Sequence, residues 1–331
     1  MSGIGRRDRS RIDGSTCGTG EARRGGRMVE PMKAIQYERV GGPEVLELVE
    51  VPVPEPIGEQ VRVAVRAAGV NPADWKFREG LMPGAPDFPR RAGIEIAGFV
   101  EAAGPDAAWR VGDEVIGWSQ TGGYAEYALA IQLAPKPAGL PYPDAVAVPV
   151  AANTADGGLG VLELKPGETL VVNGASGAVG AMVVQLAREA GAEVIGTASA
   201  ANQEVVRSLG ATPTVYGDGV ADRIRSLAPN GVDAVFDCAG HGFLDAAIEL
   251  RGGTERIVTI ADGDAAAKGV AFYSRTGGAA LDVVEWVARL VATGAFRLPG
   301  QARTYPLAEA AAAQRESETG HGLGKIVLTI G

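Results

Sequence analysis

Cysteine is almost missing from this 331-residue sequence: Cys17 and Cys238 are the only two. A disulfide framework is therefore not its stabilising device, and a reducing cytoplasm fits that usage. Runs of about 18 apolar residues are also missing, so no transmembrane helix is expected. No apolar h-region opens the chain, which argues against a secretory signal. Positive charge is in deficit, with 31 Lys and Arg against 40 Asp and Glu and a net charge of −9. Residues 1–31 hold seven Arg against four acids, a local charge of +3, which leaves −12 on the remainder. An acidic body argues against nucleic acid or an anionic membrane as the main partner. Residues 1–31 also lack apolar periodicity and are rich in Gly, Arg and Ser. They read as a disordered extension, with Met28 and Met32 as alternative starts. No internal repeat is found.

The sequence does contain 46% hydrophobic and 21% charged residues, the balance of a globular protein, and enough length for two domains with separate cores. Its organising stretch runs from Thr169 to Ser199. Leu170-Val171-Val172 is a short β-branched run that suits a buried parallel strand. The turn and helix opening that follow are Gly174, Ala175, Ser176, Gly177, Ala178, Val179 and Gly180. Met182, Val183, Leu186 and Ala190 continue at helical spacing, Gly191 stops the helix, and Glu193–Gly196 reads as a second strand. This βαβ unit carries a G-x-x-G-x-x-G turn. Glycines there let a pyrophosphate lie against backbone N–H groups at a helix N-terminus. The alternative, a plain tight turn, is disfavoured by the strand–turn–helix context.

A carboxylate about 20 residues beyond such glycines selects NAD by holding the ribose hydroxyls. Here the segment reads Gly196 to Asn202 without one, while Ser199 and Asn202 offer hydrogen bonds to a 2′-phosphate. NADPH is therefore expected over NADH. No second nucleotide fingerprint suggests a flavin.

Before this unit the pattern is β. Strands are expected at Met32–Tyr37, Leu46–Val51, Gln60–Ala68, Gly93–Val100, Gly112–Gly117 and Gly122–Tyr127, the third half-buried. Asn71–Lys76 reads as a loop, and the set as a compact, partly open barrel. Asp144–Gly160 is expected to be helical. Beyond Ser199, helices at 203–209, 221–228 and 243–250 alternate with strands at 214–216, 232–237, 256–260 and 270–273, a doubly wound α/β arrangement. A helix at 280–293 and a strand at 325–330, which can pair with the first domain, complete the chain.

The pieces AAGVNPADWKFREG (67–80), GIEIAGFV (93–100), GDEVIG (112–117), GGYAEYA (122–128), the Thr154 segment, NGASGAVG (173–180) and ESETGHGLGKIVL (316–328) carry a resemblance. In this order they resemble the medium-chain dehydrogenase/reductase superfamily, in its zinc-free, zeta-crystallin-like quinone oxidoreductase branch. The resemblance implies a fold class of α/β, a GroES-like partly open β-barrel domain plus a doubly wound Rossmann domain. The expected division is 1–31 as extension, 32–154 with 276–331 as the catalytic domain, and 155–275 as the dinucleotide-binding domain. It implies hydride transfer from NADPH to a quinone or an α,β-unsaturated carbonyl, in a cytoplasmic homodimer. Alternatives are a pathway-specific enoyl reductase of polyketide or lipid biosynthesis, and a non-enzymatic NADPH-binding protein. Zinc relatives place Cys where Asn71 stands and His where Ile94 stands, and carry a four-Cys lobe, so no metal is expected. Cys238 and His241 read as a strand-end filler and a loop residue. The cofactor set is Asn71, Thr154, the Gly174–Gly180 turn, Ser199, Asn202, Tyr216, Ala239 and Ile260. Lys76 is the leading candidate to meet negative charge on an enolate or quinol oxygen, with Asn71 beside the nicotinamide and Tyr124 as a weaker proton donor. Asp74 is expected to cap the turn or orient Lys76. The branch often has an Arg shortly before the final Lys. Here the segment reads Gly322-Leu323-Gly324-Lys325, and Lys325 is expected to be a surface charge at a strand end.

Overall fold

The computed structural model describes residues 31–82, 84, 87–274, 279–320 and 322–331. The extension expected over residues 1–31, with Cys17, lies outside these residues apart from Pro31.

The N-terminal part is built from β1 (Pro31–Tyr37), β2 (Glu47–Pro52), β3 (Val61–Val70), helix α1 (Pro72–Arg78), β4 (Arg90–Arg91), β5 (Glu95–Ala103), β6 (Glu114–Ser119) and β7 (Tyr127–Pro135). Helices α2 (Tyr142–Ala145) and α3 (Pro149–Leu162) lead into an alternating run: β8 (Thr169–Asn173), α4 (Ala178–Glu189), β9 (Glu193–Ala198), α5 (Gln203–Ser208), β10 (Thr212–Val215), α6 (Val220–Leu227), β11 (Ala234–Asp237), α7 (Leu244–Arg251), β12 (Ile257–Thr259) and β13 (Ala271–Phe272). The chain closes with α8 (Leu281–Thr293), β14 (Arg303–Pro306), α9 (Ala310–Glu318) and β15 (Ile326–Thr329).

The alternating run forms one parallel sheet in the order β10-β9-β8-β11-β12-β13. Successive strand side chains point to opposite faces, and the core divides accordingly. Leu170, Val172, Ala234 and Phe236 pack with α3 and α4, through residues such as Ala155, Met182 and Val183. Val171, Ile195, Val235 and Ile257 pack on the other face with Ile224, Leu244 and Ala247. Two apolar faces, each covered by helices, explain why these strands read as continuous apolar runs.

The second large sheet has the order β14-β15-β3-β5-β6-β7, and β3 also pairs with β7. Val61–Ala64 of β3 meets β7, while Ala67–Val70 of the same strand meets β15. The ring β3-β5-β6-β7 is thus closed over half its height and opens where β15 takes over, a partly open barrel. A small sheet, β2-β1-β4, flanks it.

Several local expectations change. Asn71–Lys76 is not a loop: Asn71 is the N-cap of α1, with Pro72 in its first turn. Proline fits there because the first helical N–H groups have no partner in any case. Gly122–Tyr127 is not a strand beyond one bridge between Ala34 and Ala125, and β7 begins at Tyr127. The expected helix at 144–160 is two pieces, with Pro149 opening the second. Strand β3 is buried on both faces except around Arg62 and Arg66. The run Tyr142–Leu162 is long and apolar enough to cross a membrane, but 61% of its apolar window is buried inside the protein. It is a core element.

Candidate functional site

The turn between β8 and α4 uses its glycines for three physical reasons. Gly174 has φ +78°, a left-handed backbone that glycine adopts without strain. A Cβ at Gly180 would stand 2.2 Å from the Gly174 carbonyl oxygen, so the helix sits this close to the turn only without a side chain. Gly177, the N-cap of α4, differs: a Cβ there would meet only the Gly174 carbonyl, at 3.4 Å. Open space lies outside Gly177, at a helix N-terminus whose first N–H groups lack helical partners. That is a cradle for an anion, and the donor set fits a dinucleotide pyrophosphate.

Beneath it runs a polar ladder that the sequence reading missed. Thr197 Oγ1 donates to Asn173 Oδ1 at 2.6 Å, Asn173 Nδ2 to Asp237 Oδ1 at 2.8 Å, and Thr259 Oγ1 to Asp237 Oδ2 at 2.8 Å. These residues sit at the C-terminal ends of four adjacent strands, β9, β8, β11 and β12, and are at most 4% exposed. Gly174 N–H donates to Thr197 Oγ1, and the N–H groups of Ala239 and Gly240 donate to Asp237 Oδ1. The ladder therefore fixes both loops that line the crevice beyond the strand ends, where ligands bind in open α/β sheets. The signal was present in the sequence: the apolar runs of TLVVN, AVFD and IVT each end in a polar residue.

On one side of the cradle, Asn202 Nδ2 donates to Ser176 Oγ at 3.4 Å, and Asn202 N–H donates to the Ser199 carbonyl at 3.0 Å. Val215 is paired with Ala198, which brings Tyr216, half exposed, beside Ser199. The Arg223 guanidinium donates to the carbonyls of Val215, Tyr216, Gly217 and Asp218 and so holds the Tyr216 turn. The segment from Gly196 to Asn202, at this end of β9, holds no carboxylate. Ala239 lies against Gly174, Ile260 N–H donates to the Asp237 carbonyl, and Thr154 is half-buried on α3.

Between the barrel and α4 is a second polar cluster. Lys325 Nζ lies 2.7 Å from Glu95 Oε2 and donates to Asn71 Oδ1 at 2.6 Å. Asn71 Nδ2 donates to Glu95 Oε2 at 3.0 Å, and Val150 N–H, in the first turn of α3, donates to Glu95 Oε1 at 2.6 Å. The expectation for Lys325 is corrected: it is 7% exposed, not a surface charge. Pairing of β15 with the end of β3 carries it inward, and Gly69 makes room for it. A Cβ at Gly69 would stand 2.2 Å from Glu95 Oε2 and 2.9 Å from Lys325 Cε. Lys325 also lines a small cavity with Ala178, the first residue of α4, together with Ala147 and Gly300. The second cluster thus faces the cradle.

Behind Asn71 stands Asp74. Its Oδ2 accepts from Asn71 N–H and from the Tyr124 hydroxyl, both at 2.8 Å. Burial, the main cause, pushes the Asp74 carboxyl up to about 7, against the lowering effects of those two donors and of Lys325. Tyr124 is fully buried, and burial together with Asp74 raises its hydroxyl well above the ordinary value. Lys76 is elsewhere on α1, half exposed, with its ammonium 5.6 Å from the centre of the Trp75 ring. The structure therefore brings Asn71 and Tyr124 together through Asp74, and leaves Lys76 outside that cluster. Cys238, in contact with the core, has its thiol pushed up by burial, and His241 is exposed with φ +55°. Among the described residues no group of three His, Cys, Asp or Glu side chains is placed to hold a metal ion.

Comparison with known proteins agrees with this geometry. Residues 58–138 match the alcohol dehydrogenase GroES-like domain family, and residues 178–276 match the family described as zinc-binding dehydrogenase. The chain is 31% identical over 325 residues to a quinone oxidoreductase of Sus scrofa, covering 90% of this chain and 98% of that one. It is 32% identical over 314 residues to the chloroplastic NADPH-dependent alkenal/one oxidoreductase of Arabidopsis thaliana, covering 90% and 79%. A mycobacterial protein solved in complex with NADPH superposes with a TM-score of 0.78 at 28% identity, over 90% of this chain and all of that one. The chain is an oxidoreductase that belongs to the medium-chain dehydrogenase/reductase superfamily, among the relatives of the quinone oxidoreductases.

Proposed function

We propose that this protein reduces quinones or α,β-unsaturated carbonyls with NADPH and without a metal. The observation that carries the metal-free part is the donor set around Asn71. An amide and a lysine ammonium stand there, and the ammonium already neutralises Glu95. A cation placed beside Nζ meets repulsion and finds no soft ligand. NADPH would supply the hydride. The Gly174–Gly180 turn would hold its pyrophosphate, and Ser176, Ser199, Asn202 and Tyr216 its 2′-phosphate. Ala239 and Ile260 would line the crevice, with Thr154 and Asn71 beside the nicotinamide. An ammonium has three N–H donors, and Lys325 has spent two on Glu95 and Asn71. The third would be a donor for a ligand group at the mouth of the cradle.

Such a reaction depends first on alignment, which supplies roughly 7–11 kcal/mol in well-oriented systems. A proton donor adds about 10²–10⁴-fold. Lys76 carries its ammonium beside the Trp75 ring on a half-exposed helix face, which suits it to meet developing negative charge on the acceptor oxygen. The buried Tyr124 is assigned a supporting place behind Asn71 instead of direct donation. Residues 32–154 with 276–331 are taken as the catalytic part and 155–275 as the nucleotide-binding part, which the β15–β3 pairing and the parallel sheet support. We also infer a cytoplasmic homodimer without nucleic-acid or membrane partners. Strand β13 is at the edge of the parallel sheet among the described residues, with Phe272 49% exposed, which suits pairing with a second copy. The test is NADPH consumption by purified protein with a simple quinone and a short enone, with and without chelator. Turnover unaffected by chelator is expected; a zinc stoichiometry of one per chain, or preference for a CoA-bound enoyl substrate alone, would overturn the assignment.

A further inference from the structure

We propose that Asp74 and Tyr124 are positioning residues that hold Asn71 and Lys325 in their working geometry, so that acceptor reduction depends on the charge of Asp74. The inference rests on the reading that the Asn71 end of the cleft holds the reacting groups. A carboxylate whose only task is to cap a helix performs it at the surface, in water, without desolvation cost. Asp74 is 5% exposed, and beside it Tyr124 and Arg78 are fully buried. Its Oδ1 is buried with no hydrogen-bond partner among the described residues. Its Oδ2 collects both the Asn71 N–H and the Tyr124 hydroxyl. A charged carboxylate with one oxygen orphaned this deep costs free energy, and the neutral acid costs less.

The groups around Asp74 come from several packed elements, with Arg90 of β4 standing behind them against the Tyr37 hydroxyl. Tyr124 precedes β7, Glu95 opens β5, Lys325 precedes β15, Tyr37 ends β1, and Arg78 ends α1 itself. Gln314 of α9 lies beside the Tyr124 hydroxyl and accepts from Arg78 Nη1 at 2.5 Å. Burial places the carboxyl's titration at about 7. Above that pH the charged Oδ2 grips the Asn71 N–H and the Tyr124 hydroxyl firmly. Below it the carboxyl is neutral and Oδ2 becomes a weaker acceptor. Asn71 is the residue whose amide binds both Lys325 and Glu95, so loosening its backbone loosens that pair.

The experiment is the pH profile of kcat at saturating NADPH with a short enone, for the wild type, Asp74→Asn and Tyr124→Phe, with NADPH titrations alongside. The wild type should gain turnover through an inflection near neutral pH. Asp74→Asn should lose about tenfold in kcat, flatten the profile and leave the NADPH dissociation constant within about twofold. Tyr124→Phe removes a donor that favours the charged carboxyl, so its inflection should move to higher pH. An Asp74→Asn profile with the wild-type inflection, or a Tyr124→Phe inflection that stays or moves down, would overturn this inference while leaving the reductase assignment intact. Should Asp74→Asn fail to fold, the Tyr124→Phe shift alone decides. Absence of wild-type turnover with both a quinone and an enone would overturn the assignment and this inference with it.

Discussion

Replacing Lys325 by Met should destabilise the protein by more than the ion pair is worth. At 2.7 Å the Lys325–Glu95 attraction is about 6 kcal/mol for an effective dielectric of ~20. Desolvating each ion costs several kcal/mol, so the intact pair contributes little net stability. The single substitution changes that balance. Glu95 is fully buried, and its carboxylate keeps the Val150 N–H and the Asn71 amide but loses the Lys325 counter-charge. Breaking one side of a buried pair costs about 3–5 kcal/mol. At about 2 °C per kcal/mol for a chain of this size, the melting temperature should fall by roughly 6–10 °C. Adding Glu95→Gln removes the stranded charge and should recover most of the loss, although the double variant lacks two charges instead of one. Scanning calorimetry of the wild type, Lys325→Met and the double variant without cofactor measures this directly. A single variant that melts with the wild type would refute the claim that Lys325 is buried and paired. A double variant no better than the single would show that packing of the lysine stem, not charge, is what was lost.

Gly177→Val should fold normally, because the space is open, yet lose NADPH binding by more than about 100-fold by fluorescence titration. Gly180→Val should instead unfold or aggregate, since a Cβ 2.2 Å from a backbone carbonyl has no room, and equal melting temperatures for the two would contradict the division of roles. Ala200→Asp should invert the preference between NADPH and NADH by placing a carboxylate at the end of β9; equal wild-type affinities would sink the nucleotide assignment. Asp237→Ala should cost at least about 3 kcal/mol in denaturant unfolding, because four buried or half-buried donors lose their acceptor at once. Lys76→Ala should lower kcat with an enone by at most about 10²–10³-fold while leaving the NADPH dissociation constant unchanged, and unchanged enone turnover would make Lys76 a solvated surface residue.

The parallel sheet was legible because its strands are buried on both faces, and burial on both faces writes an unmistakable run of β-branched residues. The glycine turn was legible for a similar reason: three local constraints coincide within seven residues. What failed depended on distance. Lys325 looks like any lysine opening a strand, and only Glu95, 230 positions earlier, makes it a buried ion. Asn71-Pro72-Ala73-Asp74 was read as a turn, though Pro in the first turn and an acid at the third helical position are also helix-start signals. The tertiary contacts of Arg78 with Gln314 and Glu318 hold that helix, and they lie in α9, a segment the sequence reading left unassigned. Strand β14 was missed for a related reason: Arg303–Pro306 alternates exposure and sits at a sheet edge.

These long-range links explain how the two ends of the cleft are built differently. The phosphate end relies on backbone groups and a local turn, supported by the ladder from Thr197 to Thr259 within one sheet. The Asn71 end is assembled from β3, α1, β5, α3 and the approach to β15, with the buried Lys325 ammonium delivered by the last seven residues of the chain. Loss of those seven residues would remove both a barrel strand and the counter-charge of Glu95, while leaving every strand of the parallel sheet in place. The glycine turn and the Lys325–Glu95 cluster are therefore separable by position in the sequence, and the C-terminal strand is the element on which the second depends.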